Sequence, residues 1–215
     1  GTGETARAFL DLPGTGTVRV VEIDGNQRRF LKHFGTASIL YEDRMELVVG
    51  DGRHHLRTTG DTWSVIAVDA YGPRTASAAF YTAEFYAEAR ARLAPGGALF
   101  VKLDPLSFPD PDVLDAYLLT FFEAFPVAKL VYVRRGLFGL VGSDSEAGLA
   151  LEGVTVAASG SAVPPQVGTT RRVTDDRPVR VGLALEPHPE GLERWWRALG
   201  GGEAPWGQRG APRDP

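Results

Sequence analysis

Short apolar, β-branched runs alternate with stretches of helical spacing through the first two thirds of the chain. That rhythm is the pattern of an α/β protein whose strands are covered on both faces. Residues 17–24 (TVRVVEID) predict a strand, and residues 25–34 a helix. Asp24, with Gln27 three residues on, is its expected start as an approximate capping box, and Gly35 its end. Residues 45–49 and 63–68 predict two further buried strands, separated by a short helical or turn segment that begins near Asp51. Residues 82–93 carry Phe85, Ala89 and Leu93 at helical spacing, Pro95-Gly96-Gly97 is the expected stop, and residues 98–103 read as the next strand. A helix over 111–125 follows, and residues 128–133 and 137–141 predict a hairpin through Arg134-Arg135-Gly136. The expected architecture is a mainly parallel sheet with helices on both faces and an antiparallel last strand.

Beyond Ser143 the pattern weakens. Residues 159–168, rich in Ala, Gly, Ser and Pro, read as a surface loop, residues 178–185 as a short edge strand, and residues 191–199 as an amphipathic helix with Trp195 and Trp196 packing back. This predicts a core over 1–143, an irregular extension over 144–199 packing on it, and a frayed tail over 200–215. Gly1-Thr2-Gly3 has the look of the glycine turn that follows a first strand, yet no strand precedes it. The chain is therefore expected to lack that strand, through truncation or because a later segment completes the sheet.

Composition narrows the function classes. With 43% hydrophobic and 23% charged residues the chain is an ordinary globular one. A net charge of −4 lacks the electrostatic footprint of a dedicated nucleic-acid binder. The absence of cysteine excludes disulfides, thiolate metal sites and a cysteine nucleophile. No apolar run approaches the roughly 20 residues of a membrane span and no signal-like segment opens the chain, so a cytoplasmic setting is expected.

Candidate chemistry gathers at expected strand ends: the Gly1/Gly3/Glu4 turn, Glu22, Asp51 and Asp69. Such ends form the ligand crevice of open α/β sheets. A glycine turn lets backbone approach a ligand, and an acid ending a strand about 20 residues later accepts both hydrogen bonds of a ribose diol. Asp51, in Gly50-Asp51-Gly52, has two compatible roles, accepting from an adenine amino group and capping the next helix. Capping alone accounts for Asp24. His54 and His55 are adjacent, a spacing unsuited to one metal, and read as a surface pair. Ser143-Asp144-Ser145 and Asp175-Asp176 read as turns or caps, so no hydrolase triad emerges.

These residues resemble the spermidine synthase-like polyamine aminopropyltransferases, a family with a class I methyltransferase-type Rossmann core. The resemblance covers about residues 1–143 and rests on VEID at 21–24, GDGR at 50–53, and the run from VDAYGP through FYTAEFY to LAPGG at 68–97. TDDRPV at 174–179 is similar to the carboxyl region of bacterial relatives. The resemblance implies that Glu22 holds the ribose of decarboxylated S-adenosylmethionine and Asp51 its adenine. Gly1, Gly3 and Gly52 line the donor, and Glu4 replaces the acid facing the aminopropyl ammonium. Tyr71 contacts the amine, and Asp69 is the catalytic acid. The donor, or S-adenosylmethionine in its place, is a co-substrate, with no permanently bound cofactor and no metal. A small-molecule amine is the partner, with no nucleic acid or membrane partner, and a homo-oligomer is compatible with the family.

The chain departs from the family at Gly72, where a second acid that assists deprotonation is expected. The amino-terminal hairpin domain and the Tyr-Pro turn of the amine pocket are not visible, and Arg74 follows close after Asp69. Three further readings compete with the aminopropyltransferase: an S-adenosylmethionine methyltransferase, a silent nucleoside-binding or assembly module, and an NAD dehydrogenase. The dehydrogenase ranks last because Ala6 stands where the third glycine of that fingerprint belongs.

Overall fold

The computed structural model describes residues 2–70, 75–103, 111–134, 137–149, 156–160, 173–176 and 197. Their chain falls into two units, Gly1–Gly60 and Asp61–Pro215.

The first unit is built from α1 (Glu4–Leu10), β1 (Val18–Glu22), α2 (Gln27–His33), a 3-10 turn at Ala37–Tyr41, β2 (Met45–Val49) and α3 (Gly52–Thr58). Ala6 and Leu10, four apart on α1, meet Leu31 and Ile39 in a small core against which Val18, Val20, Leu40 and Met45 pack. β1 and β2 pair in parallel from Val18 opposite Met45 to Glu22 opposite Val49, so both strands end at one level. The Arg44 guanidinium donates to the carbonyl oxygens of Leu10 and Thr15 at 2.8 Å, closing the end of α1. Gly35 ends α2 as expected: its φ is +72°, and the N–H groups of Gly35 and Thr36 donate to the carbonyls of Lys32 and Leu31. The expected helix start at Asp24 is corrected. α2 begins at Gln27 with Asn26 at its N-cap, and the Asp24 carboxylate accepts instead from the Asn26 N–H at 2.8 Å, folding a turn ahead of the helix.

The second unit contains β3 (Trp63–Val68), a 3-10 turn at Thr75–Phe80, α4 (Ala83–Arg90), β4 (Leu93–Leu103), α5 (Pro111–Ala124), β5 (Val127–Arg134), β6 (Leu137–Ser143), a 3-10 turn at Glu146–Leu149 and β7 (Val156–Gly160). Its sheet has the order β3-β4-β6-β5-β7. β3 and β4 are parallel, while β6 is inserted antiparallel between β4 and β5. β3, β4 and β5 thus share one direction, as a Rossmann-like sheet with an antiparallel insertion requires. Thr82 caps α4, its hydroxyl accepting from the Phe85 N–H, and the helix buries Phe85, Tyr86 and Ala89. The rings of Phe85 and Tyr86 join Phe121 and Phe125 in a run of edge-to-face and tilted contacts, and Tyr81 meets Tyr117 edge-to-face; all are buried in the core of this unit.

Two expectations are revised here. Pro95-Gly96-Gly97 lies inside β4, where the pairing with β3 shifts register between Trp63 and Val65. Gly96 has φ +74°, and a Cβ on Gly97 would lie 2.9 Å from the Trp63 carbonyl oxygen, so these residues make a bulge rather than a helix stop. The loop expected over 159–168 begins instead within β7, which runs antiparallel to β5 and adds a second antiparallel strand. Residues 161–168, the expected edge strand 178–185, the tail, and the 191–199 helix with Trp195 and Trp196 lie outside the described residues, Arg197 alone excepted.

A short segment at residues 173–176 fastens to the helices of this unit. Buried Val173 accepts from the Ala83 N–H at 3.0 Å and donates its own N–H to Thr120 Oγ1 at 2.9 Å. Asp175 accepts from the Thr82 hydroxyl at 2.9 Å, and its N–H donates to Glu84. The capping role expected for Asp175 and Asp176 is thus a contact across more than ninety positions for the first, while Asp176 accepts locally from Thr174.

Candidate functional site

Glu22 is the last residue of β1, and the register with β2 brings the Gly50 N–H to its carbonyl oxygen at 2.9 Å. The glycine-flanked turn that carries Asp51 therefore springs from the strand beside Glu22, at the same carboxyl end. Partial burial works against ionisation of the Glu22 carboxyl, whereas hydrogen bonds from the N–H groups of Asp24 and Ile23 favour it. Ile23, next along the chain, is 70% exposed, and Val49 at the end of β2 is also exposed. An apolar surface thus borders the acids on the first unit.

Asp51 is exposed and caps α3, its Oδ1 accepting from the His54 N–H at 2.7 Å. Capping occupies one carboxylate oxygen; the second is the atom with which this residue can meet a ligand. Gly52 opens the same helix. Arg53 of the GDGR run is buried, which the sequence reading did not foresee. The surface pair expected at His54 and His55 is half right. His54 is exposed, whereas His55 Nε2 is buried without a hydrogen-bond partner among the described residues.

Gly3 has a structural use. Its φ is +81°, and a Cβ there would lie 2.7 Å from both Ile39 Cδ1 and Leu31 Cδ2. The close approach that glycine permits here is that of the unit's own core, so the expected ligand-facing role must share the residue with packing. Gly35 has similar φ but open space around it, which makes it a control. Gly35→Ala should cost about 1–2 kcal/mol from the left-handed backbone alone. Gly3→Ala should cost about 1–3 kcal/mol more from overpacking, read as a larger loss in urea unfolding. Equal losses would show that Leu31 and Ile39 yield freely. Glu4 is exposed at the start of α1 and accepts from the Thr2 hydroxyl at 3.2 Å.

On the second unit, Asp69 directly follows β3. Its Oδ1 accepts from Lys102 Nζ at 3.0 Å, in an ion pair whose side chains are 42% and 29% exposed respectively. The partner comes from register: Val68 lies opposite Val101, so the next residue of each strand projects to the same side. Buried Tyr81 fixes this point of β4, its hydroxyl donating to the Lys102 carbonyl at 2.8 Å. The sequence reading missed Lys102, because nothing local announces which residue of β4 a parallel register sets beside Asp69. Gly1, Tyr71, Gly72 and Arg74 lie outside the described residues.

Other features of the second unit stand apart from the acids. A cavity of about 490 Å³ lies between α4 and α5, lined in part by Ala87, Arg90, Glu123 and Asp144, and it touches none of the candidate residues. Burial pushes the Tyr117 phenol up to about 12 and raises that of Tyr86 as well, so neither serves as an acid or base near neutral pH. Among the described residues no group of three or more His, Cys, Asp or Glu is disposed to hold a metal. No described helix is long and apolar enough to cross a membrane.

Comparison with known proteins adds sequence relatives and a shared fold. The spermine/spermidine synthase domain profile matches residues 1–123. A polyamine aminopropyltransferase of Bacillus mycoides is 29% identical over 132 residues, which are 60% of this chain and 48% of that protein. Polyamine aminopropyltransferase 2 of Hyperthermus butylicus is 30% identical over 156 residues, 67% of this chain and 50% of the relative. The chain thus spans about half the length of these relatives. A probable spermidine synthase from Corynebacterium glutamicum superposes with a TM-score of 0.59 at 20% identity, over 88% of this chain and 72% of its own, and so shares the fold.

Proposed function

The chain belongs to the spermine/spermidine synthase domain family, and on that premise we propose that it transfers the aminopropyl group of decarboxylated S-adenosylmethionine to a small amine. The observation that carries the reading is the parallel register of β1 and β2, which sets Glu22 and the Asp51 turn side by side at one strand end. An ionised Glu22 accepts the two hydroxyl hydrogens of a ribose, and the second oxygen of Asp51 accepts from an adenine amino group. The exposed Ile23 and Val49 supply the apolar surface that a purine requires. Gly1, Gly3, Glu4 and Gly52 complete the donor side of this proposal, and Asp69 and Tyr71 the amine side.

The step is a displacement at carbon. The lone pair of the amine nitrogen attacks the propyl carbon bonded to sulfonium, and the C–S bond breaks. Sulfur keeps the bonding pair and leaves as the neutral thioether 5′-methylthioadenosine, and the nitrogen sheds a proton. Protonated amines have no lone pair to offer, so a positioned carboxylate at Asp69 contributes by taking that proton. The donor is consumed as a co-substrate, and the reading carries with it a cytoplasmic setting and a core over residues 1–143.

Glu22→Gln tests the donor side. Losing a charged acceptor from a ribose hydrogen bond should weaken binding of decarboxylated S-adenosylmethionine by roughly 10- to 100-fold in calorimetry. Unchanged affinity would remove Glu22 from the site. Competition between the donor and intact S-adenosylmethionine separates this reading from a methyltransferase, since a Glu4 carboxylate near the donor tail would repel the amino acid's own carboxylate.

A further inference from the structure

We infer that Lys102 sets the acceptor class of this protein, excluding amines with a second cationic centre and favouring monoamines whose far end is uncharged. The inference rests on the proposed placing of Asp69 at the amine site, and deepens it. A site that takes a diamine must set negative charge against two ammonium groups. Here the carboxylate of Asp69 already faces the Lys102 ammonium at 3.0 Å, with both side chains only partly open to water.

The sheet sets the backbone positions of both residues. Asp69 follows β3 and Lys102 lies within the neighbouring parallel strand β4, next to the paired Val68 and Val101, both buried. The backbone of Lys102 is fixed by the hydroxyl of the fully buried Tyr81. A diamine seated against Asp69 would bring its cations beside the Lys102 ammonium. In a partly desolvated site two like charges a few ångströms apart repel strongly. A monoamine loses its only charge when Asp69 takes its proton, whereas a diamine keeps a second ammonium beside Lys102 throughout the reaction. The short linear monoamine of equal length is thus the better acceptor.

The test compares 1,4-diaminobutane with n-butylamine on the full chain. One readout is 5′-methylthioadenosine release from decarboxylated S-adenosylmethionine, and a second is calorimetric binding of each amine to protein saturated with 5′-methylthioadenosine. The wild-type chain should prefer n-butylamine by about tenfold or more in kcat/KM and in affinity. Lys102→Gln should reverse that order, and Lys102→Arg, which keeps the charge, should preserve it. Circular dichroism and melting of Lys102→Gln guard against misfolding, and the Lys102→Arg arm carries the selectivity readout without altering charge. A wild-type preference for the diamine that Lys102→Gln leaves unchanged would overturn the inference while leaving the transferase reading intact. Failure of either amine to bind wild type or variant, with the donor bound normally, would overturn it as well. Absence of donor binding would overturn both.

Discussion

Replacing Asp69 by Asn is expected to lower turnover by about 10²–10⁴-fold with donor affinity unchanged, the loss characteristic of a missing general base. Asparagine keeps the shape and the hydrogen-bonding reach of the side chain but cannot take the proton from the attacking amine. The structure adds a complication that a single variant does not resolve. Lys102 donates to Asp69 at 3.0 Å, so Asp69→Asn also removes the carboxylate charge facing a half-buried ammonium, which would repel a cationic amine more strongly and raise KM. The double variant Asp69→Asn/Lys102→Gln separates the two effects. If the base is what was lost, the double variant stays as slow in kcat as Asp69→Asn and recovers only in KM. Recovery of kcat would assign the defect to the lysine charge and take Asp69 out of the proton transfer. Donor affinity, measured by calorimetry, is the reference for both, because the proposed ribose and adenine contacts are made by other residues.

The largest expected change in stability lies in the aromatic core of the second unit. Phe121 is fully buried, with ring centroids 5.1 Å from Tyr86 and 5.2 Å from Phe125. Phe125 in turn lies over Gly142 of β6, where a Cβ would come within 2.5 Å of the ring. The ring of Phe121 therefore joins α4 to the carboxyl end of α5, and through Phe125 to the sheet. Phe121→Ala should cost about 3–5 kcal/mol, the range for emptying a buried aromatic site. Against a total stability of about 5–15 kcal/mol this is a large fraction. Denaturant unfolding of the full chain should show it as a lowered midpoint, and Phe121→Leu should lose less because it refills part of the volume. A shift below about 1 kcal/mol for Phe121→Ala would mean that the neighbouring rings close over the space.

Sequence alone reveals those elements whose cause is local. Residues 45–49 and 63–68 form strands with the expected bounds because a β-branched run bounded by acid or glycine has few other options. α3 starts after Asp51 because the cap is written one residue ahead of the helix. What escaped the reading depends on distant residues. β7 lies in a stretch poor in strand formers and owes its existence to pairing with β5. The Pro95-Gly96-Gly97 bulge is shaped by the carbonyls of Trp63 and Ser64 on the neighbouring strand. The glycine at position 3 was legible as a turn, but its contacts with Leu31 and Ile39 were not. The candidate site divides in the same way. Glu22, Asp51 and Asp69 were visible as acids closing strands, whereas Lys102 became visible only once the β3–β4 register was known.

The insertion of β6 between β4 and β5 also bears on how the chain is made. Once β4 has left the ribosome, its edge away from β3 has no partner until β6, later in the chain, follows it. Residues 124–176 supply β5, β6, β7 and the Val173 anchor, and at about 5–20 residues per second they follow over roughly 3–10 s. For that interval β4 presents an unpaired edge, on a strand whose Leu99, Val101 and Leu103 end up fully buried. The ribosome-bound intermediate is consequently the form of this protein most exposed to self-association, and slowing translation beyond codon 123 would prolong that exposure.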